Sequence, residues 1–298
     1  MSLLTDRAFR RAITVLPVFK NRIKDFYDLL SILGTTLDNP GDLVEKVAAF
    51  QGSKPGLSVD GVLGEKTAFA IRGLKWLPTP GENLLALGDK KVKIGSKVLR
   101  FDEPGGLTFK NLPGWRIRDP NKPPRVVILH WDVDRSSHGC YQTLLARKLS
   151  IHFMVDNDGT IYQAGNPSTM TAFHAGSLND TSIGIEINSP GTLLSLDDKA
   201  RPRPRGILGV RNSKQEALYF YPEQVSSVLN LVTTLCAFYA IPKVLPGVNN
   251  IVSNDVDNRI LGNQYSGICG HYHCSLKGKI DPGIALWPAF LNAGFLLV

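Results

Sequence analysis

The 298-residue chain is 43% hydrophobic and 20% charged, an ordinary balance for a soluble globular protein and enough length for two domains and a sizeable core. Four sparse cysteines (Cys140, Cys236, Cys269, Cys274) argue against a disulfide framework, and no apolar run reaches a membrane span; the nearest, residues 225–241, is broken by Ser226, Ser227, Asn230, Thr233 and Thr234. The net charge of +8 lies in residues 1–125, because residues 126–298 hold thirteen basic against thirteen acidic side chains; the surplus favours anionic partners without choosing among nucleic acid, phosphate-bearing membranes and cell-wall polymers.

Arg10 and Arg11 precede an apolar run at residues 12–19 that is short, contains Thr14 and Pro17, and lacks a small-residue cleavage site, so no Sec signal is expected. Phe9, Ile13 and Leu16, then Phe26, Leu29, Leu30 and Leu33, stand at helical spacing and end at Gly34. After the Asn39-Pro40-Gly41 turn, Leu43, Val47 and Phe50 predict a short amphipathic helix. Asp60-Gly61 and Gly64 mark tight turns before a helix resumes at Thr67. Residues 78–124 are rich in proline, which argues against a continuous helix; they read as a linker and N-terminal arm with a hairpin over 91–101. Lys90, Lys91, Lys93 and Lys97 read as a solvated charged face.

From Arg125 the character changes. Val126-Val127-Ile128-Leu129 predicts a strand buried on both faces, and it ends in His130-Trp131. Taken alone, His130 reads as a satisfied core histidine. A helix is expected over 142–149. Ile151, Phe153 and Val155 alternate with His152, Met154 and Asp156, and Asn157-Asp158-Gly159 separates that strand from Thr160 to Gln163, a hairpin signal. Strict alternation through residues 182–188 puts Ile183, Ile185 and Ile187 on one side and Glu186 on the other, facing solvent or a cleft. Residues 191–221 look like an insertion whose Arg201-Pro202-Arg203-Pro204-Arg205 stretch suits a surface hairpin against an anionic polymer. Pro222 opens the longest helical segment, through Tyr239. Residues 270–283, GHYHCSLKGKIDPG, then crowd together His271, His273, Cys274, Lys277, Lys279 and Asp281, of which the imidazoles, thiol and carboxylate are ordinary zinc ligands.

Two resemblances organise these pieces. Phe50-Gln51, Gly56-Leu57, Val59-Asp60-Gly61, Gly64 and Thr67 resemble the small helical peptidoglycan-binding domain of many cell-wall hydrolases, with Asp60, Gly61, Gly64 and Thr67 read as shaping and capping the turn rather than touching glycan. Val127-Ile128-Leu129-His130, Ser150-Ile151-His152-Phe153, Asp158-Gly159-Thr160-Ile161-Tyr162-Gln163, Phe173-His174-Ala175-Gly176, Ser182-Ile183-Gly184-Ile185-Glu186, and Gly270-His271 with Lys279 and Asp281-Pro282-Gly283 resemble, in order over residues 125–285, the zinc N-acetylmuramoyl-L-alanine amidase family. That type-2 amidase fold is shared with peptidoglycan-recognition proteins and phage lysins.

The resemblance implies an α/β fold, a mixed central sheet flanked by helices, preceded by a small all-α domain: 1–77 binding module, 78–124 linker and arm, 125–298 catalytic domain. It implies Zn2+ held by His130, His271 and Asp281, with Glu186 as proton carrier, Lys279 stabilising the oxyanion, and His174 assisting there or binding substrate. Where some relatives carry a catalytic tyrosine this chain has Ile151, which shifts weight to Glu186; His152 reads as structural, and His273 and Cys274 as lesser candidates for the metal. The reaction implied is cleavage of the amide between N-acetylmuramic acid and L-alanine, by a monomer acting on bacterial peptidoglycan. A phage or prophage endolysin, made in the cytoplasm and acting on the host wall in the periplasm, is the expected form. A non-cleaving wall receptor and a cytosolic wall-recycling amidase are the alternatives, and nucleic acid, supported by charge alone, is not expected as a partner.

Overall fold

Val126-Val127-Ile128-Leu129 offers an apolar side chain to both faces of a strand, and in the computed structural model that strand lies inside a six-stranded sheet. Residues 33, 40–54, 83–103, 105–110 and 112–298 are described. The chain divides into two units, Met1–Pro80 and Gly81–Val298. In the first, α1 (Pro40–Gly52) opens on a proline, buries Val47 and pairs Lys46 with Asp42 at 3.3 Å, as the amphipathic spacing predicts. Asp60, Gly61, Gly64 and Thr67 of the predicted binding module lie outside the described residues.

The second unit begins with β1 (Leu84–Leu87) and β2 (Lys90–Lys93), then β3 (Val98–Arg100), β4 (Trp115–Ile117) and β5 (Val126–Trp131). Helix α2 (Ser137–Ala146) follows, then β6 (Phe153–Val155), β7 (Ile161–Gln163), β8 (Met170–Ala172) and β9 (Ser182–Ile187). The insertion carries β10 (Arg205–Ile207) and β11 (Glu216–Leu218), and α3 (Pro222–Tyr239) comes next. Short strands β12 (Val244–Leu245), β13 (Gly247–Val248) and β14 (Ile251–Val252) precede α4 (Asn258–Leu261), β15 (Gly267–Gly270), α5 (Trp287–Asn292) and β16 (Leu296–Leu297).

The main sheet runs β15-β5-β9-β6-β7-β3; its first four strands are mutually parallel, β6 and β7 pair antiparallel, and β3 adds parallel to β7. Alternation splits it into two environments. Val127, Leu129, Phe153, Val155, Ile183, Ile185 and Ile187 join one core with Val228, Leu231, Val232 and Leu235 of α3. Full burial of each such side chain contributes about 1.5–3 kcal/mol. Met154 points the other way, into a second cluster with Cys140 and Leu144 of α2, and Val126 and Ile128 into a third. Helix α3 starts at Pro222, as expected, with the Gln224 side chain accepting from Tyr221 N at 3.0 Å, and ends at Ala240 in the left-handed region (φ 54).

The structure corrects four expectations. The first hairpin is β1–β2, turned at Gly88 (φ 59) and Asp89, whereas Val98–Arg100 leaves it to pair with β7. Residues read as linker and arm therefore supply an edge strand of the main sheet and β4, which pairs with β8. Helix α2 begins earlier than expected because Ser136 Oγ accepts from Gly139 N at 3.1 Å, a side-chain N-cap. The basic insertion does form a hairpin, but Arg203 turns inward: it is buried over the Tyr221 ring and donates to Gln224 Oε1 (2.9 Å) and Asn188 Oδ1 (3.2 Å).

Candidate metal centre and active site

The parallel register places the site. His130 pairs with Glu186 across β5 and β9, while Gly270 pairs with Leu129 across β15 and β5, so the chain leaves β15 at His271 beside His130. Ligand sites in such sheets form where parallel strands end. The turn through His271–Cys274 and the following loop then return Asp281 to the same spot, and Tyr272 N donates to Asp281 O at 3.1 Å.

His130 Nδ1 lies 3.0 Å from His271 Nδ1 and 3.1 Å from Asp281 Oδ2, and His271 Nδ1 lies 2.9 Å from the same oxygen. His130 and Asp281 are buried and His271 is half-buried. Protons alone serve this triangle poorly. If both imidazoles donate to Oδ2, their two N–H groups face each other; if only one donates, the other ring's Nδ1 lone pair is aimed at the carboxylate oxygen. A cation satisfies all three atoms, and two imidazoles with one carboxylate are a zinc-type donor set. Ligands about 2.0–2.1 Å from a tetrahedral zinc stand about 3.3 Å apart, close to the edges seen here. Among the described residues this is the one cluster of three such groups with convergent ligand atoms.

Electrostatics agree with the ligating protonation states. Burial, reinforced by His271, lowers His130 to about 4 and keeps its imidazole neutral. Burial pushes Asp281 up, but hydrogen bonds to His130 and His271 outweigh it and hold the carboxyl well below its ordinary value.

Glu186 is buried on the His130 side of β9, and its Oε2 has no hydrogen-bond partner. Burial, with Asp132 and Asp281 nearby, raises its pKa well above the ordinary value, while Lys279 acts in the opposite direction. The solvent-facing reading of Glu186 thus fails. A buried carboxyl with an open oxygen beside a metal triad is equipped to take and return a proton. Lys279, half-buried, acts electrostatically on both His130 and Glu186.

Three further histidines, His152, His174 and His273, are occupied by the protein. His174 Nδ1 lies 3.0 Å from His130 Nε2 and its Nε2 lies 3.1 Å from Ser182 Oγ, so both of its nitrogens have a protein partner. His152, fully buried, accepts from Gly184 N at Nδ1 (3.0 Å) with Nε2 3.0 Å from Met170 O, the structural role expected of it. His273 accepts from Gly270 N (2.9 Å) with Nε2 2.8 Å from Ser253 O, and Cys274 Sγ donates to His271 O at 3.2 Å, so neither joins the triad.

Four contributors escaped the sequence reading. Ser182 holds His174, and Gly184 makes room for it, since a Cβ there would stand 2.6 Å from His174 Nδ1 and 2.3 Å from Ile151 Cδ1. Asp132 lies close enough to Glu186 to raise it, and burial lifts Asp132 itself to about 7 although Asn188, Asp134 and Ser189 donate to it. Arg211, from the insertion, donates to Lys279 O (3.0 Å), Ser275 O (3.3 Å) and Asp255 Oδ1 (3.1 Å), bracing the loop that carries Lys279. Its left-handed backbone (φ 49), unusual for a non-glycine residue, was the one local feature a sequence cannot signal.

With fold and site in hand, comparison places the chain. Residues 120–284, more than half of it, match the family described as N-acetylmuramoyl-L-alanine amidase, and the chain belongs to that family. It is an N-acetylmuramoyl-L-alanine amidase whose His130, His271 and Asp281 form a group that could hold a metal ion. Similar solved structures include a selenomethionine derivative of AmpD (17% identity, 66% of this chain and 93% of that one, TM-score 0.37). The amidase AmiD from E. coli, in complex with anhydro-N-acetylmuramic acid-L-Ala-D-gamma-Glu-L-Lys, is similar at 17% identity over 72% of this chain and 66% of that one, with TM-score 0.38. The Ph2119 endolysin from Thermus scotoductus MAT2119 bacteriophage Ph2119 is similar at 14% identity over 66% and 99%, also with TM-score 0.38. No curated protein matches the chain by sequence.

Proposed function

We propose that the protein is a zinc-dependent peptidoglycan hydrolase of endolysin type, cutting the amide that joins the lactyl group of N-acetylmuramic acid to L-alanine of the stem peptide. The observation that carries this reading is the meeting of His130 Nδ1, His271 Nδ1 and Asp281 Oδ2 within 3.1 Å of one another beside a buried Glu186 whose Oε2 is unpartnered. A zinc ion on that triad supplies Lewis acidity, acidifying a water and polarising the amide carbonyl.

The rest of the chemistry belongs to side chains. Glu186 takes a proton at Oε2 from the attacking water and returns it to the leaving amine, a task suited by its raised affinity for protons. Lys279 offsets the negative charge that develops on the carbonyl oxygen, and Arg211 holds the Lys279 backbone in place. The basic surplus of residues 1–125 and the N-terminal likeness to a peptidoglycan-binding module support intact, anionic wall as the substrate and the host periplasm as the place of action.

Zinc-loaded protein should release new L-alanine amino termini from purified sacculi faster than from soluble muropeptides, and chelation should abolish release. Preference for soluble fragments would replace the endolysin with a wall-recycling enzyme. Binding of wall without release would leave a receptor.

A further inference from the structure

We infer that His174, anchored by Ser182, is a positioning residue that fixes the tautomer and orientation of the metal ligand His130. The inference rests on the reading of His130, His271 and Asp281 as the metal triad. His130 presents Nδ1 to that triad, so its lone pair is free for a cation only when the ring proton sits on Nε2. The atom facing Nε2 is His174 Nδ1, at 3.0 Å. His130 Nε2–H then donates to His174 Nδ1, which places the His174 proton on its own Nε2, where Ser182 Oγ accepts it at 3.1 Å. The opposite order, with Ser182 donating to His174 and His174 to His130, would put a proton on His130 Nδ1 and aim it at the triad.

The surroundings hold this pair in one arrangement. Asn179 Oδ1 accepts from both His174 N (3.0 Å) and Ala175 N (2.7 Å), fixing the backbone that carries the ring. Gly184, on the same face of β9 as Ser182 and Glu186, leaves the space the ring occupies; any Cβ there would meet His174 Nδ1 at 2.6 Å. The His130 and His174 rings meet edge-on, 5.2 Å between centroids and 80° between planes. Partners behind a ligating histidine fix its tautomer, and their loss typically weakens metal binding by about 10- to 100-fold.

The test is zinc affinity of the full chain, measured by competition with a chelator at one neutral pH, alongside thermal unfolding of the metal-free proteins. His174→Leu, which keeps bulk and removes the acceptor, should bind zinc about 10- to 100-fold more weakly. His174→Gln, whose side-chain oxygen can accept from Nε2–H, should recover most of that loss, and Ser182→Ala should weaken binding by a smaller factor. Equal affinity of His174→Leu and the unaltered protein overturns the inference, as does a His174→Gln variant that loses as much as His174→Leu. If His174→Leu does not fold, Ser182→Ala decides, and unchanged affinity there is the contrary result. An unaltered protein that binds no zinc overturns the metal triad and this inference together; one that binds zinc regardless of position 174 overturns the inference alone.

Discussion

The two faces of the central sheet use the same two strands, β5 and β9, for opposite ends. On the α3 face, Val127, Leu129, Ile183, Ile185 and Ile187 are fully buried among apolar neighbours. On the other face, one position along each strand, stand His130, Glu186, Ser182 and Gly184, where burial leaves Glu186 Oε2 without a partner. The contrast teaches that the first face sets the geometry of the second. A slip of one residue between β5 and β9 would turn every isoleucine out of the core, so apolar packing fixes the register, and the register puts His130 opposite Glu186.

Substitutions that touch one face at a time can break or sharpen this division. Glu186→Gln should lower hydrolysis by about 10²–10⁴-fold while zinc content stays at the unaltered level, because the general acid–base group is lost and the ligands are not. Activity near the unaltered rate would remove Glu186 from the chemistry. On the opposite face, Ile185→Ala should cost about 2–5 kcal/mol of stability in denaturant unfolding. A loss below about 1 kcal/mol would mean that this face does not hold the register.

The most gradual effect, spread over several pH units, comes from the polar face behind the site. Burial and then Arg118 lower His152 to about 3 from 6.5, so the folded state excludes its charged form. Its contribution to stability is therefore complete above pH 6.5 and is lost as pH falls from there toward 3, by up to about 1.4 kcal/mol per pH unit. In metal-free protein His152→Gln should flatten the stability curve over that window, and superimposable curves would count against the burial of a neutral ring.

Much of the site was legible in the chain. His130 ends an apolar run, Glu186 interrupts an alternating one, and His271 and Asp281 share a polar loop, each a signal that local chemistry leaves in a sequence. His174, Ser182 and Arg211 were harder to read. A serine opening a strand and an arginine in a basic insertion look like surface residues until the fold supplies their partners, 8 residues away for Ser182 and 64 and 68 away for Arg211. The first hairpin was misjudged for a related reason. Gly88-Asp89 is as good a turn as those further on, and which strand β3 joins depends on β7, far along the chain.

By itself the sequence determined that residues 126–129 and 182–187 are strands, which of their faces are apolar, and which side chains are candidates for the chemistry, because these follow from side-chain periodicity and functional-group type over short spans. Only the tertiary structure decided that His130 meets His271 and Asp281, partners 141 and 151 residues distant, and that His174 lies against His130 Nε2. Those contacts depend on the order and parallel register of β15, β5 and β9, which the packing of the whole sheet against α3 selects.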